Sequence, residues 1–134
     1  MLDTDVCIHL INRRAGYESI VDRINGLDYG QILISAITEA ELAYGVARSA
    51  QKTNNRCTLL LFLQRFEIAP FDHDAAQHYG PLRQSLQAAG QPIGPLDMLI
   101  AAHALSADCI LVTHNVREFS RIRDLTLEDW IATD

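Results

Sequence analysis

Gly94-Pro95-Leu96-Asp97-Met98-Leu99-Ile100-Ala101-Ala102-His103-Ala104-Leu105, followed four residues later by Cys109-Ile110-Leu111-Val112-Thr113, is the stretch from which the fold is read. Its first part opens on Pro95, which is tolerated at the first helical position because the N–H it lacks would have no partner there. The rest of that part is almost wholly apolar, with a single acid, Asp97, in the first turn. A helix apolar on every face belongs inside a protein. The second part is a continuous apolar run of strand length, as in the interior strand of a parallel sheet. An acid in a helix's first turn is favoured by the macrodipole whether or not it does chemistry, so Asp97 acquires meaning only from the acids around it.

Working outward, Met1 to Asp5 reads as a short strand or strand end and Val6 to Arg14 as a helix, which puts Asp3 and Asp5 at a strand-to-helix junction. Tyr17, Ile20, Val21 and Ile24 recur at helical spacing across Tyr17–Asn25. Gly26 to Gly30 reads as a turn, and Gln31 to Ala36 as a second interior strand. Thr38 then opens a helix to about Ser49, with Thr38 and Glu41 at the spacing of a capping box. A further helix, Asn54 to about Arg65, carries Leu59-Leu60-Leu61-Phe62-Leu63, too apolar for a solvated helix; part of it is read as core and part as a partner surface. Phe66 to Phe71 reads as a short strand interrupted by Pro70, which places it at an edge or makes it marginal. Asp72 or His73 starts a helix to about Ala89, Asn115 to Arg121 forms a short helix or turn, and Leu125 to Leu127 a last small strand ahead of Trp130. Strands alternating with helices imply a parallel sheet with helices on both faces.

At 134 residues and 49% hydrophobic, the chain suits one domain over 1–134. No apolar run approaches the ~18 residues that span a bilayer, and the start lacks a basic n-region, so a cytoplasmic protein without membrane attachment is expected. Three cysteines, Cys7, Cys57 and Cys109, lie far apart among apolar neighbours and read as buried free thiols rather than disulfides or a zinc site. A net charge of -6 argues against unspecific adhesion to nucleic acid, but not against an enzyme that cuts phosphodiesters, because such sites cluster carboxylates around metal ions. Of the 11 basic residues only Lys52 is a lysine.

Ligands of open parallel sheets bind beyond the carboxyl ends of the strands. Asp3 and Asp5 follow the first strand, Glu41 follows the second by a few residues, and Glu118 follows the Cys109–Thr113 strand. If Asp3, Glu41, Asp97 and Glu118 converge, each pair at 4 Å repels by about 4 kcal/mol at an effective dielectric near 20. Protonation or a divalent cation would offset that. With oxygen donors and no Cys/His ligand pattern, the expected ion is Mg²⁺ or Mn²⁺, which suits phosphoryl chemistry. Thr4, Asp5, Ser35, Thr113 and Asn115 are candidates for supporting roles, with Asp5 and Asn115 ahead of the hydroxyls, which at strand ends more often cap a turn or helix. The five histidines show no pairing, and only His114 falls near the proposed cleft.

Four segments taken together, Met1–Ile8, Glu41–Gly45, Gly94–Ala101 and Leu111–Phe119, resemble the PIN-domain ribonucleases and, within them, the VapC toxins of bacterial toxin–antitoxin pairs. The resemblance runs nearly to Trp130. It implies a three-layer α/β/α fold with a central parallel sheet of about five strands, and Mg²⁺- or Mn²⁺-dependent endonucleolytic cleavage of RNA. Asp3, Glu41 and Asp97 would form the carboxylate core, with Glu118 the fourth acid. Many PIN domains place that acid where this chain has Asn115, which leaves the division of labour between the two open, and Asp5 stands where similar toxins carry Asn. Similar toxins cut initiator tRNA in the anticodon loop, form homodimers, and are silenced by a VapB antitoxin; the Leu59–Leu63 stretch with its neighbouring helix is the candidate antitoxin face. Arg13, Arg14, Arg48, Lys52 and Arg117 are candidates for phosphate contacts, and Tyr44 for base stacking.

Two other readings remain beside it. Asp3-Thr4-Asp5 has the Asp-x-Asp spacing of phosphoaspartyl phosphatases, but Lys52, the lysine such enzymes need, falls in a polar connection rather than at a strand end. The other is a binding module with an inactive site, against which the four acids argue.

Overall fold

The computed structural model describes residues 1–131. Four short strands alternate with seven helices among them: α1 (Thr4–Ile11), α2 (Tyr17–Asn25), β1 (Leu33–Ser35), α3 (Ala36–Ala47), α4 (Lys52–Leu63), β2 (Glu67–Ala69), α5 (His73–Ala88), α6 (Pro95–Ser106), β3 (Leu111–Val112), α7 (Val116–Phe119) and β4 (Leu127–Glu128). β1 pairs in parallel with β2, Ile34 opposite Ile68, and β3 pairs in parallel with β4, Leu111 opposite Leu127. Leu2 joins the two pairs, bridging Ile34 on one side and Val112 on the other. The lateral order is therefore β2, β1, the Leu2 segment, β3, β4, all parallel. The N-terminal strand expected over Met1–Asp5 is reduced to this one bridging residue, because Asp3 already caps α1.

Alternate residues of the strands go to opposite faces. Leu2, Ile34 and Val112 enter a core with Val6 and Cys7 of α1, Ile20 of α2, Leu42 of α3, and Leu59 and Phe62 of α4. Met1 and Leu111 enter a second core with Leu86 of α5, Met98, Ile100 and Ala101 of α6, and Phe119 of α7. The sheet thus separates two helical layers, and α6 is buried as its all-round apolar sequence requires: Met98 and every residue from Ile100 to Ala104 are buried.

Several boundaries differ from the sequence reading. α3 starts at Ala36, not Thr38, and its N-cap is Ser35, whose Oγ accepts from the Ile37 N–H at 3.1 Å. Thr38 is buried inside the helix, so the capping box with Glu41 does not form. α4 starts at Lys52, whose Nζ donates to the Ser49 carbonyl at 3.1 Å. All three cysteines are free; Cys7 is buried and Cys109 partly so, but Cys57 is exposed, because it lies on the outer side of α4.

Candidate active site

The carboxyl ends of Leu2, β1 and β3 lie side by side, with a polar side chain at or just after each: Asp3 after Leu2, Ser35 as the last residue of β1, and Thr113 after β3. Asp3 is 4% exposed. As N-cap of α1 it accepts from the Val6 N–H at 3.1 Å through Oδ1, and from Thr113 Oγ1 at 2.5 Å through Oδ2. Burial raises its pKa above the ordinary carboxyl value, against the opposing pull of the Thr113 and backbone bonds. Thr113 Oγ1 in turn accepts from the Asn115 N–H at 3.0 Å, and Asn115 Nδ2 donates to Glu118 Oε2 at 2.9 Å. One hydrogen-bonded chain therefore runs from Asp3 through Thr113 and Asn115 to Glu118. In this pair Asn115 is the donor and Glu118 the acceptor.

On the other side Thr4 Oγ1 donates to Glu41 Oε1 at 2.7 Å and lies 3.1 Å from the hydroxyl of the buried Thr38. This bond ties α1 to α3 and fixes the acid on α3. Asp97 faces these groups from the first turn of α6. Its pKa is raised to about 6, first by burial and then by the negative charges of Asp3, Glu41, Glu118 and Asp5. Four acids from three other parts of the chain thus act on one carboxyl. Gly94 backs it, since a Cβ there would stand 3.4 Å from Asp97 Oδ2. Asp5 is exposed in the first turn of α1.

Ser35 is placed differently from the other candidates. Its hydroxyl, fully buried, caps α3 and lies 2.8 Å from His103 Nδ1 of α6. The His103 ring also bonds the Pro70 backbone and stands edge-on to Phe71, with centroids 5.4 Å apart; burial lowers its pKa. Neutral His103 with Nε2–H on Pro70 therefore accepts the Ser35 proton at Nδ1. Ser35 and His103 lock the helix bearing Glu41 to the helix bearing Asp97. His114 pairs instead with Asp129 at 3.0 Å. Sequence reasoning gave Thr38 a capping role and His103 no site role; their partners here are 34 and 68 residues away.

The donor set fits a hard divalent ion in its chemistry: clustered carboxylate oxygens, with no basic side chain paired to Asp3, Glu41, Asp97 or Glu118 among the described residues, whose ion pairs are Arg23–Glu128 and His114–Asp129. It does not form a closed cage, as no three His, Cys, Asp or Glu side chains among the described residues stand close enough to enclose one ion.

The PIN domain family profile matches residues 1–125. The chain is 40% identical over 130 residues to the tRNA(fMet)-specific endonuclease VapC of Shigella flexneri, covering 97% of this chain and 96% of that protein. It is 42% identical over 131 residues to ribonuclease VapC2 of Rickettsia felis, at 97% and 96% coverage. The structure of DNA-bound VapBC from Salmonella typhimurium superimposes with a TM-score of 0.91 at 41% identity, covering 97% of this chain and 96% of the other. Fold, motif order and full-length similarity agree: the chain belongs to the PIN-domain family and, within it, to the VapC ribonucleases, the toxin members of VapBC pairs.

Proposed function

We propose that the chain, as a single PIN domain over 1–134, is the toxin of a type II toxin–antitoxin module and an endoribonuclease dependent on Mg²⁺ or Mn²⁺. The observation that carries this reading is the convergence of Asp3, Glu41, Glu118 and Asp5 on Asp97 without a cationic partner. Asp3, Glu41, Asp97 and Glu118 would hold the ion, directly or through its waters. A bound divalent ion there supplies Lewis acidity toward a phosphate oxygen and a more acidic water. The chain's own contribution is placement. Thr113 fixes Asp3, Thr4 fixes Glu41 and Asn115 fixes Glu118, so these acids are held in position before substrate arrives.

Initiator tRNA, cut in its anticodon loop, is the proposed substrate, because a relative 40% identical to this chain is named tRNA(fMet)-specific. A VapB-type antitoxin is the proposed partner, as in the similar VapBC complexes. Its docking face would include α4, where Leu60 and Leu61 are 51% and 65% exposed while Leu59 and Phe62 pack inward. Dimers of the chain, or a hetero-oligomer with antitoxin, are proposed on the same basis. Among the described residues no helix is long and apolar enough to cross a membrane, and a cytoplasmic location is proposed.

The test is incubation of the purified protein with total RNA and Mg²⁺ or Mn²⁺, followed by mapping of the cut ends. Cleavage should stop in EDTA and in Asp97→Asn. Equal cleavage by that variant, or without metal, would overturn the site assignment.

A further inference from the structure

Glu41, Tyr44, Gly45 and Arg48 are spaced three and four residues apart along α3 and its C-cap, so they share one side of the helix. That side forms a wall of a groove of about 610 Å³, whose other lining includes Arg14, Asn55 and Thr4. Thr4 and Glu41 belong to both the groove and the carboxylate cluster, so the two are continuous. Tyr44 is 67% exposed, and its ring takes no part in the core. The Arg48 guanidinium sits over one face of the ring, 5.5 Å from its centroid, which orients the ring, while the residue as a whole stays exposed.

Gly45 supplies an independent observation. Glycine destabilises a helix relative to alanine, yet Gly45 has ordinary helical φ and an added Cβ would meet no protein atom within 4 Å. Nothing in the fold calls for glycine there. Gly80, the other open glycine within a helix, is accounted for by Pro81, which crowds the Cβ of the residue before it. At Gly45 the missing side chain instead keeps the groove floor low beside an exposed aromatic ring and two guanidinium groups.

We propose that this groove is the subsite for an unpaired nucleotide of the RNA strand adjoining the cut, its base stacked on Tyr44 and its phosphates met by Arg14 and Arg48. The proposal rests on the ribonuclease reading and deepens it, for it names the residues that hold the strand beside the cut. A base lays its face on an aromatic ring only when it is free of its own stack. In a chain of net charge -6, two arginines beside the carboxylates match a polyanion leading into the site.

The experiment uses a 5′-labelled single-stranded oligoribonucleotide carrying the anticodon-loop sequence of the proposed initiator-tRNA substrate, and its fully paired duplex, with Mg²⁺, on the purified wild type and three variants. Tyr44→Ala should raise KM for the single strand about 10- to 100-fold with kcat nearly kept, and should narrow the preference over duplex. Tyr44→Phe should stay within about twofold of wild type, because stacking needs the ring and not the hydroxyl. Gly45→Ala should raise Tm by a few degrees and yet raise KM, a pairing that a structural role for the glycine would not give. Wild-type KM in Tyr44→Ala, or a Phe variant as defective as the Ala one, overturns the subsite while leaving the nuclease reading intact. So does loss of antitoxin binding by Tyr44→Ala with RNA cleavage unchanged, which would assign the groove to the protein partner. A wild type that cuts neither RNA overturns the ribonuclease reading itself, and the subsite with it.

Discussion

Asp97→Asn should make the metal-free protein more stable while removing its activity. Asp97 carries a pKa raised from 3.8 to about 6, so at neutral pH its ionised form is disfavoured in the native state relative to the unfolded chain. Two pKa units correspond to about 3 kcal/mol. Because the side chain is only partly buried, solvent screening reduces this to about 1–2 kcal/mol. At about 2.1 cal/mol/K of unfolding entropy per residue, one kcal/mol shifts the Tm of a chain this long by about 4 °C. Removing the charge without changing the shape should then raise Tm by about 4–7 °C at pH 7.5 in EDTA. The sign sets the pH window: a raised native pKa means the native state binds the proton more tightly, so the penalty is full above about pH 6, fades on acidification and is gone below about pH 4. Thermal scans by circular dichroism from pH 4 to 8 test this. Added Mg²⁺ should then reverse the ranking, since binding at 100 times Kd stabilises the wild type by about 2.7 kcal/mol and leaves the variant behind. A variant no more stable than wild type at pH 7.5 in EDTA would refute the crowding of charge at Asp97. A gain that persists at pH 4 would trace it to packing instead.

Thr113→Val should cost about 1–3 kcal/mol and weaken the Mg²⁺-induced rise in Tm, because it removes the donor to Asp3 Oδ2 and leaves the Asn115 N–H without its acceptor; a Tm and a metal response equal to wild type would sink that chain of bonds. His103 is held neutral by burial, so its contribution to stability is present above its unfolded pKa of about 6.5 and is lost as pH falls through its lower native value. His103→Gln should flatten that acid-side loss, measured in the Asp97→Asn background because Asp97 acts in the opposite sense over the same range. With a thiol-reactive dye, Cys57 should label quickly in the native protein and Cys7 only on unfolding, since burial pushes the Cys7 thiol far up; simultaneous labelling of all three cysteines would contradict the burial.

What the sequence made legible was what local periodicity and strand-end position control. α2 falls on Tyr17–Asn25 as read, because its apolar spacing has one good helical solution. The buried α6 and the order of acids along the chain followed from patterns within single segments. What failed was decided by contacts between segments. Thr38-x-x-Glu41 carries the spacing of a capping box, but helix α3 begins where parallel pairing of β1 with β2 ends, at Ser35 opposite Ala69. That moves Thr38 one turn inward and frees Glu41 to meet Thr4, a partner 37 residues away. Ser35 looked like a hydroxyl for the metal site for the same reason, and its partner His103 lies 68 residues on. Short strands made their own ends hard to place: β3 and β4 are two residues each, so periodicity has almost nothing to repeat.

The cluster meets two opposed physical demands. Its carboxylates must be held still, and they must keep their charge for a cation. An arginine clamp would meet the first and defeat the second. Here the holding is done by neutral donors, the hydroxyls of Thr113 and Thr4 and the amide of Asn115, each on a different acid. Among the described residues Asp97 receives no such donor, and the negative charges of the other acids, with burial, raise its pKa to about 6. Affinity for the proposed divalent ion would then come as much from relief of that repulsion as from coordination bonds. It also follows that replacing any neutral donor by a cation would stabilise the fold at the expense of the site.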